Sequence, residues 1–528
     1  MEQTERIIQR VNVGDSLTRT AAARPMQVAV VDDDRLWTYA EFNRWVNRLA
    51  HGLAGLGYGR GDALGLASAN SAEFLAVYYA CAKLGVVCVP INLGWRPDEM
   101  AYVLGHSHAR GIVVESQLVA TLGEAITKAS DVADVIVAPG TGVGYEGQPA
   151  DRRWSTVEGL LADDASEPEC HVEDRDPLSY LYTSGTTSFP KGVVGTHLAI
   201  YLGSTSGALD SGWNDTDRFL AMMPMFHTAQ LNAFCTPAVL VGATIHVHRG
   251  FEPAAFLETI ERERITQVFG LPMMYRAALD HPSFSSRDLS SLRRAVYAMA
   301  PMPDALIRAC LEGFGCDFAL LFGQTEMSPV TTLFRPEHQL THIGAVGTPI
   351  TGVQVGIMAP DGTLLPQGEQ GEIVYRGPAT MQGYLRNADA TEAAFAHGWF
   401  HSGDVGRFDT DGVLWFADRY KDVIKTGGEN VASIEIEKAV YASDDRIAEV
   451  VVVGLPHERW SEAVTAVVVP KPGETVDPDE LIAALKERLD GFKVPKSVIV
   501  TDELPKTSTG KIQKNLVRDA HAAHYGGR

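Results

Sequence analysis

Short apolar runs recur along this chain between segments of helical spacing, and that alternation narrows the fold more than any other feature. GIVVE from Gly111, VADVIVA from Val132 and AVYAM from Ala295 read as strands buried on both faces. Between such runs, Thr38 to Leu56 places Phe42, Trp45, Val46, Leu49, Leu53 and Leu56 on one helical face, and Thr38 with Glu41 forms a capping box at its start. The longest apolar run, Phe74 to Ile91, contains Lys83, Gly85 and Pro90, so it reads as a buried helix turning into a buried strand rather than a membrane span. Sheets covered by helices, an α/β class, follow from this pattern.

At 528 residues the chain exceeds the size at which one hydrophobic core keeps growing, so at least two domains are expected. The texture changes after Asp418. Strand-like AEVVVVGL from Ala448 and EAVTAVVV from Glu462 surround a helix that opens at Asp477, with Pro478 in its first turn and Glu480 completing the cap, and KSVIV from Lys496 follows. This small α+β unit of about a hundred residues is large enough to fold alone. The charged stretch ADRYKDVIK, Ala417 to Lys425, reads either as a hinge between the two parts or as an exposed strand.

The formal net charge of -21 argues against a general binder of nucleic acid or of anionic membranes. Six cysteines without CxxC spacing read as reduced core residues. The polar start, MEQTERIIQRVNVGDSL, carries no apolar segment that would serve as a secretory signal, and a cytoplasmic enzyme is the default expectation.

Chemistry is concentrated first in Tyr182 to Gly192, YTSGTTSFPKG, where Gly, Ser and Thr fill seven of eleven positions and Lys191 stands near the end. Such a loop suits polyphosphate, because glycine admits close backbone approach while amides, hydroxyls and a lysine face the anion. It is not a Walker loop: Pro190 replaces the second glycine and Gly192 replaces the metal-binding hydroxyl. Further on, LFGQTE (Leu321 to Glu326) offers an aromatic ring for a purine and oxygen ligands for a hard cation. GSTSG from Gly203 puts Thr205 where a nucleophile-elbow serine would stand, which disfavours a hydrolase.

These motifs, with WFHSGDVG (Trp399 to Gly406), DRYKDVIKTGGENV (Asp418 to Val431) and LPKTSTGKIQK (Leu504 to Lys514), resemble in order and content those of the acyl-adenylate-forming superfamily of acyl-CoA synthetases, peptide-synthetase adenylation domains and luciferases. The resemblance covers nearly the whole chain. It implies a large multi-subdomain part over residues 1–417, a hinge over 418–421 that turns at Lys421, and a mobile C-terminal domain over 422–528. It also implies ATP, magnesium and coenzyme A as cofactors.

By the same resemblance, Thr183, Ser184, Gly185, Thr186, Thr187 and Lys191 grip phosphate, and Thr183 joins Glu326 as a metal-ligand candidate. Ala300, Phe322, Gly323, Gln324 and Thr325 flank the nucleotide, while Asp404 and Arg419 take the ribose. Lys425, Gly427 and Gly428 border the path of the pantetheine arm. Lys511, His227 and Thr183 are the catalytic candidates. GLPHERWSEAV, Gly454 to Val464, looks like a segment of acyl-CoA synthetases and points to free coenzyme A as acceptor.

For the acid, Phe226, His227, Gln230, Met299 and Ala300 are the substrate candidates. His227 reads equally as a hydrogen-bonded core histidine. YAMAPMP, Tyr297 to Pro303, stands where the family usually has a glycine-rich turn, so Ala298 and Met299 are bulkier than expected. Met225, Met302 and Met327 add soft apolar surface or simply fill core. Ser188 replaces a glycine and Phe322 a tyrosine.

The reading is an ATP-dependent synthetase that converts a hydrophobic small-molecule carboxylic acid to its coenzyme A thioester through acyl-AMP. An enzyme loading an acyl carrier protein and an idle acyl-adenylate-binding paralogue are the alternatives. Neither nucleic acid nor integral membrane contact is expected, and a homodimer is left open. Lys511→Ala should abolish acyl-AMP formation yet leave conversion of preformed acyl-AMP and coenzyme A largely intact, which separate assays of the two half-reactions would check.

Overall fold

In the computed structural model the apolar alternation becomes parallel strands with helices packed on them. Residues 8–139, 152–183, 190–299, 302–507 and 512–526 are described. Among them are sheets of nine, seven, four and five strands. In the seven-stranded sheet Arg153–Thr156, Asp134–Ala138, Ala109–Glu115, Ala63–Ala67, Val87–Pro90 and Pro177–Thr183 lie parallel, and Lys191–Thr196 closes the edge antiparallel to Pro177–Thr183. The nine-stranded sheet has a parallel centre, in spatial order Val28–Asp32, Thr244–Val247, Arg218–Ala221, Gln267–Gly270, Arg294–Tyr297 and Asp317–Gly323, with antiparallel strands at both ends. Strands covered on both faces need unbroken apolar runs, and every residue of Ala63–Ala67 and Asp134–Ala138 is buried.

The helices follow their sequence signals. Tyr39–Gly55 starts on Thr38, whose hydroxyl accepts from the Glu41 amide while Glu41 accepts from the Thr38 amide at 2.9 Å; Phe42, Val46, Leu49 and Leu53 face the core. Ala72–Leu84 is buried at every position and stops at Gly85, whose φ of 72° ends the helix before the strand Val87–Pro90. The lysine inside that buried helix is paired, as a buried charge must be: Lys83 Nζ donates to Asn43, Asn47 and Thr18 and meets Glu167 at 2.6 Å.

Beyond these layers, Gln354–Met358, Gly371–Arg376, Phe400–Phe408 and Leu414–Arg419 form the antiparallel four-stranded sheet. The five-stranded sheet combines Ile424–Thr426, Glu429–Val431, Ile447–His457, Ser461–Pro470 and Ser497–Val500. Its two buried clusters hold no residue earlier than Ile424. Asp477 caps the helix Pro478–Lys486 by accepting from the amides of Asp479 and Glu480, so Glu480 contributes its backbone rather than its carboxylate.

Three local expectations are refined. AVYAM is strand only through Tyr297, because Met299 turns with a φ of 70°. ADRYKDVIK is the end of one strand and the start of another around a turn after Arg419. Gly203–Gly207 lies inside the helix His197–Ser211, with no strand-to-helix elbow. All six cysteines are free thiols. No described helix is long and apolar enough to cross a membrane. Thr38→Ala is expected to cost about 1 kcal/mol of stability while Thr38→Ser stays near neutral, a difference that chemical denaturation would resolve.

Candidate active site

Parallel α/β sheets present their ligand-binding loops at the carboxyl ends of the strands, and the motif segments leave from those ends. Thr183 ends Pro177–Thr183, Phe322 and Gly323 end Asp317–Gly323, Met299 follows Arg294–Tyr297, and Met222 to His227 follow Arg218–Ala221. Ser184, Gly185, Thr186, Thr187, Ser188, Ala300 and Lys511 lie outside the described residues.

Thr183 and Lys191 face each other as register partners, so the strands on either side of the motif pair as an antiparallel hairpin. A Walker loop would have led into a helix. Next to this hairpin, Met381 to Leu385 adds a further length of extended chain. Val194 N–H donates to Gly383 O and Gln382 N–H to Val194 O, both at 3.0 Å, and Leu385 N–H donates to Gly192 O at 2.8 Å. The same segment reaches the LFGQTE motif, where Met381 N–H donates to Glu326 O at 2.7 Å. Tyr384 then joins the two motifs through its side chain. Its phenol donates to Glu326 Oε1 at 3.0 Å, and Lys191 Nζ stands 5.0 Å from the centre of its ring. Burial, reinforced by the Glu326 charge, holds the Tyr384 phenol well above its ordinary pKa, so it remains a donor at neutral pH.

Backbone geometry fixes the LFGQTE turn. A Cβ on Gly323 would lie 2.0 Å from Pro329 O, so only glycine fits. Gln324 N–H donates to that same carbonyl at 2.9 Å, and its side-chain Nε2 is a buried donor with no partner among the described residues. An orphaned buried donor of this kind is accounted for by a ligand or an ordered water. Thr325 opens the short helical turn Thr325–Met327 that carries the buried Glu326. The Phe322 ring lies 5.5 Å from Phe416, tilted at 44°. Phe416 belongs to the strand Leu414–Arg419, whose Arg419 pairs across the ladder with Asp404, Nε to Oδ1 at 3.1 Å. Asp404 and Arg419 thus stand on neighbouring strands of the four-stranded sheet, and Phe322, at the end of a strand of the nine-stranded sheet, meets the strand that carries Arg419 through Phe416.

Past Arg419 the chain turns, with the amides of Asp422 and Val423 donating to Arg419 O. Burial pulls the pKa of Lys421, in that turn, below its ordinary value. On either side, two aspartates fasten the turn to the C-terminal part. Asp418 accepts from the Ser433 amide at 2.6 Å and hydroxyl at 2.5 Å, and Lys514 bonds Ser433 Oγ and meets Glu437 at 2.9 Å. Asp422 accepts from Arg518 at 2.8 Å.

Gly427 and Gly428, φ 60° and 91°, form the two-residue turn between Ile424–Thr426 and Glu429–Val431. The lysine of that hairpin, Lys425, has an exposed side chain. Gly427 N–H donates to Trp460 O at 2.9 Å, and the Trp460 ring is flanked by His457 at 4.3 Å and by Lys496 and Arg459, each at 5.4 Å. The RW of GLPHERWSEAV was the available signal for this flat, cation-edged ring; Tyr384 had none in its own neighbourhood.

The acyl segment divides. Phe226 and His227 are half-buried, and His227 Nδ1 accepts from the Ala229 amide at 3.2 Å, which assigns the hydrogen of the neutral ring to Nε2. Gln230 is buried instead, its Oε1 accepting from the Met223 amide at 3.1 Å and its amide nitrogen lying 3.6 Å from Cys235 Sγ. Its side chain thus braces the backbone of the loop that carries Phe226 and His227. Met299 occupies the left-handed backbone region, where a β-carbon is strained and where the family's usual glycine would be at ease.

Residues 17–385 match the family described as AMP-binding enzyme, and residues 435–511 match its C-terminal domain. A feruloyl-CoA synthase from an Amycolatopsis species is 37% identical over 506 residues, covering 96% of this chain and 98% of that protein. An indoleacetate–CoA ligase from Aromatoleum aromaticum is 34% identical over 510 residues, again covering 96% and 98%. The solved structure of ATP-bound MatB from Rhodopseudomonas palustris superposes with a TM-score of 0.87 at 26% identity, covering 98% of this chain and 100% of that one.

The chain belongs to the AMP-binding enzyme family. Within it, the protein is an AMP-forming ligase of the acyl-CoA synthetase kind, in the acyl-adenylate-forming superfamily. Gly323→Ala should reduce ATP binding by at least tenfold, because the added methyl forces Pro329 and the Gln324 turn apart; equilibrium titration of ATP would check it.

Proposed function

We propose that this ligase activates a hydrophobic carboxylic acid with ATP and passes the acyl group to coenzyme A, working in the cytoplasm. The observation that carries the reading is the convergence at one site of a phosphate-type hairpin bearing Lys191, an acidic turn bearing Glu326, and the Asp404–Arg419 pair beside Phe322. Phe322 stacks on the adenine, Asp404 accepts from the ribose hydroxyls, and Lys191 with the hairpin amides and hydroxyls holds the β- and γ-phosphates, which become the leaving group.

Magnesium fits the donor set. Among the described residues no group of three His, Cys, Asp or Glu would hold a metal ion unaided. Lys191 and Arg419 are offset by Glu326 and Asp404, so a triphosphate arrives with its charge unbalanced. A small hard dication binds well through one carboxylate and the substrate's own phosphate oxygens. Glu326, with Thr183 beside the hairpin, would hold it, and its chemistry is to neutralise the pyrophosphate as that group departs.

In the first step the carboxylate attacks the α-phosphorus in line, giving acyl-AMP and pyrophosphate. The chain positions the reactants and stabilises charge, and no side-chain nucleophile is needed. Lys511 meets the acid and phosphate oxygens. In the second step the part following residues 418–421 turns about Lys421, withdrawing Lys511 and bringing Gly427 and Gly428 over the site. The thiol of coenzyme A then attacks the acyl carbon and AMP leaves. Trp460, edged by Lys496 and Arg459, suits the nucleotide end of coenzyme A, since a flat ring stacks on adenine and cations meet phosphates. His227 and Phe226 stand at the acyl end, with Met299 shaping the wall.

Pyrophosphate release should be measured with a panel of acids, with and without coenzyme A. Aromatic propenoic and acetic acids head the panel because the relatives named above act on ferulate and indoleacetate, and long-chain fatty acids complete it. Release with at least one acid, followed by a coenzyme A thioester, is expected. Release without thioester would point to a carrier protein as acceptor, and ATP binding without any release would make the chain a binding module.

A further inference from the structure

We infer that Tyr384 is a positioning residue for adenylation, presenting the Glu326 carboxylate and seating Lys191 so that both meet the triphosphate. This rests on the reading of Glu326 as the metal-holding carboxylate given above.

Three contacts carry it. The Tyr384 phenol donates to Glu326 Oε1 at 3.0 Å, so one carboxylate oxygen is fixed in direction before any ligand arrives. Lys191 Nζ lies 5.0 Å from the centre of the same ring, so the cation nearest the phosphate hairpin rests against the face of the residue that orients the carboxylate. The residue is itself anchored. The Tyr384 amide donates to Thr391 Oγ1 at 2.9 Å, and the neighbouring Gly383 O and Leu385 N–H are bonded to the second strand of the hairpin, Lys191–Thr196. A phenylalanine would pack equally well there. Only a phenol holds the carboxylate, and only an aromatic ring supports the ammonium.

The alternative is a tyrosine kept for packing, since it also lies, partly buried, against the cluster around Val193 and Met381. The two differ in what removing one oxygen does. Groups that orient a metal ligand from behind typically account for ten- to a hundredfold in metal affinity, whereas loss of a packing-neutral hydroxyl leaves metal dependence untouched.

The test uses the full-length protein, calorimetric titration with ATP and no acid, in magnesium or in EDTA, and circular dichroism to confirm folding. In wild type, magnesium should tighten ATP binding. Glu326→Gln should abolish that gain, Tyr384→Phe should cut it roughly tenfold with the EDTA affinity unchanged, and the double variant should match Glu326→Gln alone. Tyr384→Leu should also weaken ATP binding in EDTA, because Lys191 loses its seat. A full magnesium gain in Tyr384→Phe, with Glu326→Gln losing it, overturns the inference alone, as do additive effects in the double variant. A wild type without the gain, or a Glu326→Gln that keeps it, overturns the reading of Glu326 beneath it.

Discussion

Buried backbone amides and carbonyls must find partners, and in Met381 to Leu385 that requirement ties three sheets together. The segment continues from the four-stranded sheet, bonds to the edge strand of the seven-stranded sheet at Gly192 and Val194, and donates to Glu326 beside the nine-stranded sheet. An unmade bond here would cost on the order of 1–3 kcal/mol for each stranded group. The apolar side chains agree with the backbone: Val193, Met327, Ile373, Met381, Phe400 and Leu414 form one buried cluster across the junction. A site assembled at such a junction inherits its geometry from all three sheets, so moving any one of them would separate Lys191, Glu326 and Asp404.

The charges of the site are already matched before a nucleotide binds. Arg419 is held against Asp404 by their register on adjacent strands, and Lys191 is held near the Glu326–Tyr384 pair. Charges fixed in place do not have to reorganise as a reaction proceeds, which is the physical basis of electrostatic preorganisation. The turn after Arg419 extends the same logic to movement. Asp418 accepts from Ser433 and Asp422 from Arg518, so both flanks of the turn are bonded to the part that follows it, and the rotation proposed above would have to release the Asp418–Ser433 bond.

Elements whose signals are local were legible in the sequence. The Thr38–Glu41 cap, the helix-to-strand passage at Gly85 and the strands around Val113, Val451 and Val467 need only periodicity and cap chemistry, and they appear where those rules put them. The motif residues were legible as a set because their order along the chain is shared with a family. Contacts across long separations were not. Tyr384 and Glu326 are 58 residues apart, and MQGYLRN carries no local sign that its tyrosine will face an acidic turn. Gln230 was legible only as a polar residue beside the acyl segment; its bond to the backbone amide of Met223, seven residues earlier, was not. At Met299 the bulk was visible in the sequence, but the left-handed backbone that makes the bulk strained was not.

The paired glycines at 427 and 428 carry a mechanical consequence. A β-carbon at either position would find open space or ordinary contact, so crowding does not demand glycine; the two left-handed dihedrals do. A two-residue turn of this kind, locked by Thr426 opposite Glu429 and by Gly427 bonded to Trp460, is stiff. On the proposed function, such a turn would keep its shape rather than yield as a flap when the thiol arm passes. In the thioester step proposed above, the hairpin would then serve as a rim whose place is set by the body that bears it, and the timing of thiol entry would belong to the rotation of that body rather than to any bending of the loop.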